Sequence, residues 1–244
     1  MFPMPTHAQK DTLGPPFHAS DMPARPRLSI RGGHGTLRPM FPALSRQARQ
    51  TAFLIALLSA VSVAVQFVHI NAVRAELPLA TIWDMSRYFT ILTHLLVAVT
   101  YAAISSPRRN GVPAPWLAAL TLSVVMVGLV YHLVLAQLIA FTGLGWWADH
   151  GLHTVSPVAM AVWWLACAPK RRLAYADLPI FALWPTIYAA YAMARGAWDG
   201  AYPYPFIDLS AMGAAAVAMN MAVLLVLFLL GGVLMISIGR YADR

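Results

Sequence analysis

Residues 50–73, QTAFLIALLSAVSVAVQFVHINAV, run without a single Asp, Glu, Lys or Arg. About 20 predominantly apolar residues suffice for a helix to cross roughly 30 Å of hydrocarbon, so this stretch reads as a membrane span. A secretory signal would place a shorter apolar run near the N-terminus and a small-residue cleavage site after it. This run starts too late and is too long, and it is expected to stay as uncleaved helix. Five further charge-free runs follow at 88–107, 110–148, 150–169, 178–194 and 209–239. The expected fold is therefore all-α, an integral membrane bundle of six transmembrane helices. The third and sixth runs are long enough to include loop. Pro179 and Pro185 make the fifth helix the least regular, whereas Pro113/Pro115 and Pro203/Pro205 punctuate the entries to the third and sixth.

Composition agrees with that pattern. Of 244 residues, 59% are hydrophobic and only 11% charged, against about 25% charged in soluble domains. Mean hydropathy is +0.63. A pI of 10.1 and a net charge of +8 do not indicate nucleic-acid binding, because Lys and Arg in such a chain report topology. The lone cysteine, Cys167, excludes an intrachain disulfide framework and a cysteine-based zinc site.

Residues 1–49 carry Lys10, Arg25, Arg27, Arg31, Arg38, Arg46 and Arg49 among many prolines and little apolar periodicity. They read as a disordered, basic, Pro-rich cytoplasmic tail preceding a six-helix domain over 50–244. Met40 offers an alternative translational start. Of the 17 basic residues, all but Arg74, Arg87 and Arg195 fall in this tail, at Arg108/Arg109, at Lys170/Arg171/Arg172 or at Arg240/Arg244. These loops alternate across the six runs, so both termini are expected in the cytoplasm, with the chain in the plasma or inner membrane. Trp83, Trp146, Trp147, Trp198 and Tyr202 mark the outer interface. No half-to-half repeat of the kind many transporters carry is visible.

Polar side chains within membrane segments are costly and default to functional candidates. Here they gather towards the outer face: Gln66 and His69 on the first helix; Arg87, Thr90, Thr93 and His94 opening the second; His132 past the middle of the third; Asp149, His150, His153 and Thr154 opening the fourth; Tyr204 and Asp208 before the sixth. Thr90 and His94 are four apart and His150 and His153 three apart, so each pair shares one helix face. A threonine hydroxyl becomes a nucleophile only when a base takes its proton, and neutral imidazole is the usual base. His153 is expected in the first turn of its helix, where the dipole keeps imidazole neutral and free amides can stabilise an oxyanion.

Each of these residues also has a structural reading. Membrane threonines commonly bond back to the preceding turn. Arg87 can snorkel to headgroups, Asp149 and Asp208 can cap helices, and Asn220 can join two helices. His132 needs a partner at its depth.

Arg87-Tyr-Phe-Thr90-Ile-Leu-Thr-His-Leu-Leu96, Gly145-Trp-Trp-Ala-Asp149-His150-Gly-Leu-His153-Thr154 and Tyr202-Pro-Tyr-Pro-Phe206 resemble, in order, the motifs of the androgen-induced protein family of multi-pass membrane hydrolases. The resemblance covers about residues 50 to 240 and leaves the tail outside. It implies a threonine-type hydrolase of fatty acid esters of hydroxy fatty acids, with the threonine at Thr90, the histidine at His153 and no cofactor. His94 matches no catalytic residue of that family.

Three functions compete at this level. In the first, an integral-membrane lipid esterase, Thr90 attacks an ester carbonyl and His153 serves as base; Arg87, His94, His132, Asp149, His150, Tyr204 and Asp208 support the site or bind substrate, and no metal is bound. In the second, His94, His132, His150 and His153 hold zinc or haem. The third is a non-catalytic transport, binding or scaffold protein. The partner expected in the leading reading is a membrane lipid or lipid ester, and the sequence leaves the oligomeric state open.

Overall fold

The computed structural model describes residues 44–107, 112–138, 140–170 and 173–242. These residues form an all-α structure with no strand among them. Residues 1–43, Arg108, Arg109, Arg171, Arg172 and Arg244, on which the expected tail and much of the expected orientation rest, lie outside the described residues.

The chain order is α1 (Arg46–Arg74), α2 (Pro78–Met85), α3 (Phe89–Ser105), α4 (Ala114–Val130), α5 (Gly143–His150), α6 (Ser156–Cys167), α7 (Leu178–Asp199), α8 (Leu209–Met212) and α9 (Ala214–Ala242). A π turn, Tyr131–Leu135, prolongs α4, and a second, Gly151–Val155, joins α5 to α6 without a break. Three helical stretches, Arg46–Arg74, Ala114–Leu135 and Ala214–Ala242, are long and apolar enough to cross a membrane; α2 and α3, bent by 95°, make a fourth if they are one broken span. That is the composition of a membrane protein.

Local chemistry explains the boundaries. Ser45 caps α1 by accepting a hydrogen bond from Ala48 N at 3.0 Å, which starts the helix at Arg46 rather than at residue 50 and takes Arg46 and Arg49 out of the expected tail. The charged stretch after α1, expected as loop, instead holds α2, begun by Pro78 within its first turn. Pro113 and Pro115 sit at the entry to α4. Gly200 ends α7 with φ +73°, a left-handed conformation available at little strain only to glycine. Pro185 lies inside α7.

Between helices in lipid, close packing and hydrogen bonds replace the hydrophobic effect as the cohesive forces. The buried face of α1 is small: Ala48, Ala52, Ile55, Ala56, Ser59 and Ser62, at three- and four-residue spacing. That face admits α3 and α6. Trp163 Nε1 donates to Ala48 O at 3.1 Å, and Trp184 Nε1 donates to Thr93 Oγ1 at 2.9 Å. Each bond ties two helices far apart in sequence. At Gly128 in α4 an added Cβ would stand 3.0 Å from the carbonyl oxygen of His153. The glycine thus brings α4 against the π turn that carries this histidine.

Candidate functional site

Thr90 occupies the first turn of α3, and its Oγ1 lies 3.5 Å from His153 Nε2. His153 Nδ1 lies 2.9 Å from Asp149 Oδ1, four residues earlier. A carboxylate only accepts, so Nδ1 carries a proton, and in neutral imidazole that leaves Nε2 as the acceptor facing the threonine. Tyr131 donates its hydroxyl proton to the other oxygen, Asp149 Oδ2, at 2.5 Å. Its ring stacks on His153, with centroids 3.9 Å apart and planes 9° from parallel. Hydroxyl, imidazole, carboxylate and phenol thus form one connected line from α3 through the two π turns. Single π turns inside α-helices recur at functional sites because they re-aim a side chain without breaking the rod. Both of them here flank the same ring pair.

This arrangement corrects the expectation about the helix dipole. His153 is not in a first turn, because α5 begins at Gly143 and runs on through the π turn. For the same reason Asp149 is not a cap; it is a buried acid inside the rod. The first-turn amides sit on the other side of the site, at α3, where Phe89 N donates to Tyr204 Oη at 3.0 Å. Tyr204 is thereby fixed at the start of the helix that carries Thr90.

The other residues singled out in the sequence are distributed as follows. His94, fully buried, donates from Nδ1 to Thr90 O at 2.8 Å, and its Nε2 has no hydrogen-bond partner among the described residues. His150 turns away, stacking on Trp146 at 3.9 Å and donating to Trp146 O. His132 Nε2 lies 3.1 Å from Thr154 Oγ1. Asp208 accepts from Ser210 Oγ and, as the cap of the short α8, from Ser210 N and Ala211 N, and these bonds, the one from the Ser210 hydroxyl foremost, hold its carboxyl below the usual carboxylate range. Asn220 donates to Phe206 O at 2.8 Å. Among the described residues no group of three or more His, Cys, Asp or Glu is placed to hold a metal ion.

Arg87 is committed. Its Nη1 donates to both oxygens of Asp199 at 3.0 Å and to Ala201 O at 2.6 Å, and Nη2 reaches Asp84 at 3.4 Å. The hydrogen bond from Arg87 holds the Asp199 carboxyl below its usual range. Arg195 joins the same cluster: it is buried over the Trp83 ring at 4.0 Å and donates to Ser86 Oγ, Tyr191 OH and Trp83 O, each at 2.8 Å. Tyr188 donates to Arg87 O at 2.8 Å and separates this ionic cluster from the site beneath it.

Thr90 and His153 open onto a cavity of about 290 Å³ between α3, α4, α7 and α9, walled by residues such as Met126, Val130, Met193, Leu225 and Phe228. Its polar contributions come from Thr90, Tyr131, His153, Thr186, Tyr188 and Tyr204; among the described residues no Asp, Glu, Lys or Arg lines it. No family model, curated protein or solved structure matches the chain.

Sequence reasoning did not single out Tyr131. The residue next to it, His132, drew attention as a histidine at depth, whereas a tyrosine in an apolar run looks like packing. A tyrosine eighteen residues ahead of a buried aspartate carries no local signal; only the fold pairs them.

Proposed function

We propose that the protein is an integral-membrane lipid ester hydrolase in which Thr90 is the nucleophile and His153 the general base. The observation that carries this reading is the line Thr90 Oγ1, His153 Nε2 at 3.5 Å and His153 Nδ1, Asp149 Oδ1 at 2.9 Å, placed at an uncharged cavity. A separation of 3.5 Å suits a site that tightens when substrate is bound. The order of the three sequence motifs, similar to those of the androgen-induced protein family, supports the same pair of residues and suggests fatty acid esters of hydroxy fatty acids as one substrate class.

In this mechanism His153 Nε2 takes the Thr90 proton as Oγ1 bonds to the ester carbonyl carbon. The Tyr204 hydroxyl donates to the developing oxyanion. Asp149 holds the imidazole in the required tautomer and stabilises imidazolium, and Tyr131 holds Asp149. As the carbon–oxygen bond to the alcohol breaks, His153 returns the proton to the leaving alkoxide. Water, deprotonated by His153, then attacks the acyl-threonine, and the fatty acid leaves as Thr90 regains its proton.

The proposed setting is a six-span bundle in the plasma or inner membrane. The six spans are α1, the bent α2–α3 pair, α4 with its π turn, α5 through α6, α7 and α9; both termini are cytoplasmic and the site lies towards the outer face. The alternating basic loops support the orientation, and the exposed Trp83, Trp146, Trp147 and Trp198 suit an outer aromatic belt.

The test is hydrolysis of long-chain esters by detergent-purified protein, wild type beside Thr90→Ala and His153→Ala, with and without chelator. Chelator-insensitive turnover, lost in both variants, is the expected result. Turnover untouched by Thr90→Ala, or none in wild type, removes the threonine mechanism.

A further inference from the structure

We infer that the cavity selects by charge: it takes an acyl chain that ends in an uncharged group and rejects one that carries a carboxylate or phosphate. This inference rests on the hydrolase reading for the position of the ester and extends it to the class of chain.

Three independent observations carry it. First, none of the residues lining the cavity is Asp, Glu, Lys or Arg, and its wall is overwhelmingly aliphatic and aromatic. An ionised group moved from water into such surroundings loses its hydration without compensation. Second, the two arginines of the neighbouring ionic cluster, joined to the cavity wall by the bond from Tyr188 to Arg87 O, are already saturated. Arg87 is held by Asp199, Asp84 and Ala201 O, and Arg195 by Asp199, Tyr191, Ser86 and Trp83. A carboxylate at the end of the acyl chain would have to displace one of these partners to gain a counter-charge. Third, the Asp149 carboxylate stands directly behind His153, which lines the cavity, and repels a second anion across a medium that screens poorly.

The polar groups that do line the cavity are hydroxyls and one imidazole, gathered around Thr90. That is sufficient to orient a neutral ester carbonyl and insufficient to neutralise a full charge farther along the chain. A cavity of about 290 Å³ has room for part of a long acyl chain, and a ten-carbon chain serves as the probe.

The experiment uses the full chain in neutral detergent micelles and two aryl esters with the same leaving group. One has a ten-carbon acyl chain, the other the ten-carbon α,ω-diacid esterified at one end; the methyl-capped diacid ester serves as the size control. The neutral and capped esters are expected to be turned over with kcat/KM at least about tenfold above the free-acid ester, since a carboxylate must either be desolvated or enter protonated. Equal values for capped and free-acid esters overturn the inference, even with Thr90→Ala inactive on both. In parallel, non-cleavable ether analogues of the same compounds compete for binding to wild-type protein. Tighter binding of the capped analogue by about tenfold is expected, and equal binding overturns the charge selection whether or not any ester is hydrolysed. Absence of turnover with all three esters, together with discrimination among the ethers, sinks the hydrolase reading and leaves the selectivity standing. A gain-of-function variant adds a third arm: Met193→Lys, at the cavity wall, is expected to raise the free-acid to capped ratio by about tenfold by supplying the missing counter-charge.

Discussion

Tyr131 stacks face to face on His153, centroids 3.9 Å apart, while its hydroxyl donates to the carboxylate that orients the same imidazole. One side chain therefore fixes both the plane of the ring and the acid behind it. Tyr131→Phe keeps the stack and removes only the bond to Asp149. Hydrogen bonds to charged groups contribute about 1.5–3 kcal/mol, so kcat is expected to fall about tenfold or more with KM nearly unchanged. Asp149→Asn disturbs the tautomer itself and is expected to act more severely, about a hundredfold or beyond. Steady-state kinetics on both variants check this, and a purely packing role for Tyr131 would leave the Phe variant at wild-type kcat.

Tyr204 accepts from the first-turn amide of α3 and lines the cavity together with Thr90, the position from which the proposed mechanism has it donate to the oxyanion. Tyr204→Phe is expected to lower kcat by about a hundredfold, the usual effect of losing one oxyanion donor. Binding of a non-cleavable ether analogue should hardly change. If KM rises and kcat holds, Tyr204 binds the ground state instead.

The Arg87–Asp199 pair links the loop before α3 to the C-terminal end of α7. Because the folded state holds the Asp199 carboxyl below its usual range, the pair stabilises the fold above about pH 4, where an unfolded aspartate is ionised. That contribution disappears as pH falls through the lowered value of the folded state. The thermal midpoint of wild type is expected to fall more between about pH 6 and about pH 3 than that of Asp199→Asn. Parallel curves for the two proteins would remove the pair from the account of acid stability.

Gly128 lets α4 approach the turn that bears His153, and a Cβ there would meet His153 O at 3.0 Å and Pro157 Cβ at 3.1 Å. Neither neighbour is the end of a flexible side chain, so the helices must part. Gly128→Ala is expected to destabilise the protein by about 1–3 kcal/mol and to lower esterase activity at temperatures where it remains folded. A variant with wild-type unfolding and wild-type turnover would show that the seam has slack.

Helix positions were legible because a charge in hydrocarbon is so costly that the absence of Asp, Glu, Lys and Arg marks each apolar helix directly. Three helical stretches, or four with the bent α2–α3 pair, are long and apolar enough to cross a membrane and each overlaps a charge-free run, whereas α2 itself lies on none of the runs and the rod from α5 to α6 crosses the break between the third and fourth at Asp149. Thr90, Asp149 and His153 could be singled out because polar residues at the ends of charge-free runs stand out against them. The helix start assigned to His153 was not, since nothing in the sequence 143–155 announces that α5 passes into α6 through a π turn.

What the sequence by itself determined is therefore the class of the molecule, an all-α chain with helices apolar enough for a membrane, and the layer in which its polar side chains gather. Only the tertiary structure decided the relations across that layer: Tyr131 against His153, Tyr204 over the start of α3, and Arg87 spent on Asp199. The physical reason is one of range. Hydrophobic runs and caps are local and act through a few neighbouring residues, whereas the meeting of two π turns on facing helices depends on packing at Gly128 and along α1, where residues a hundred positions apart share one contact.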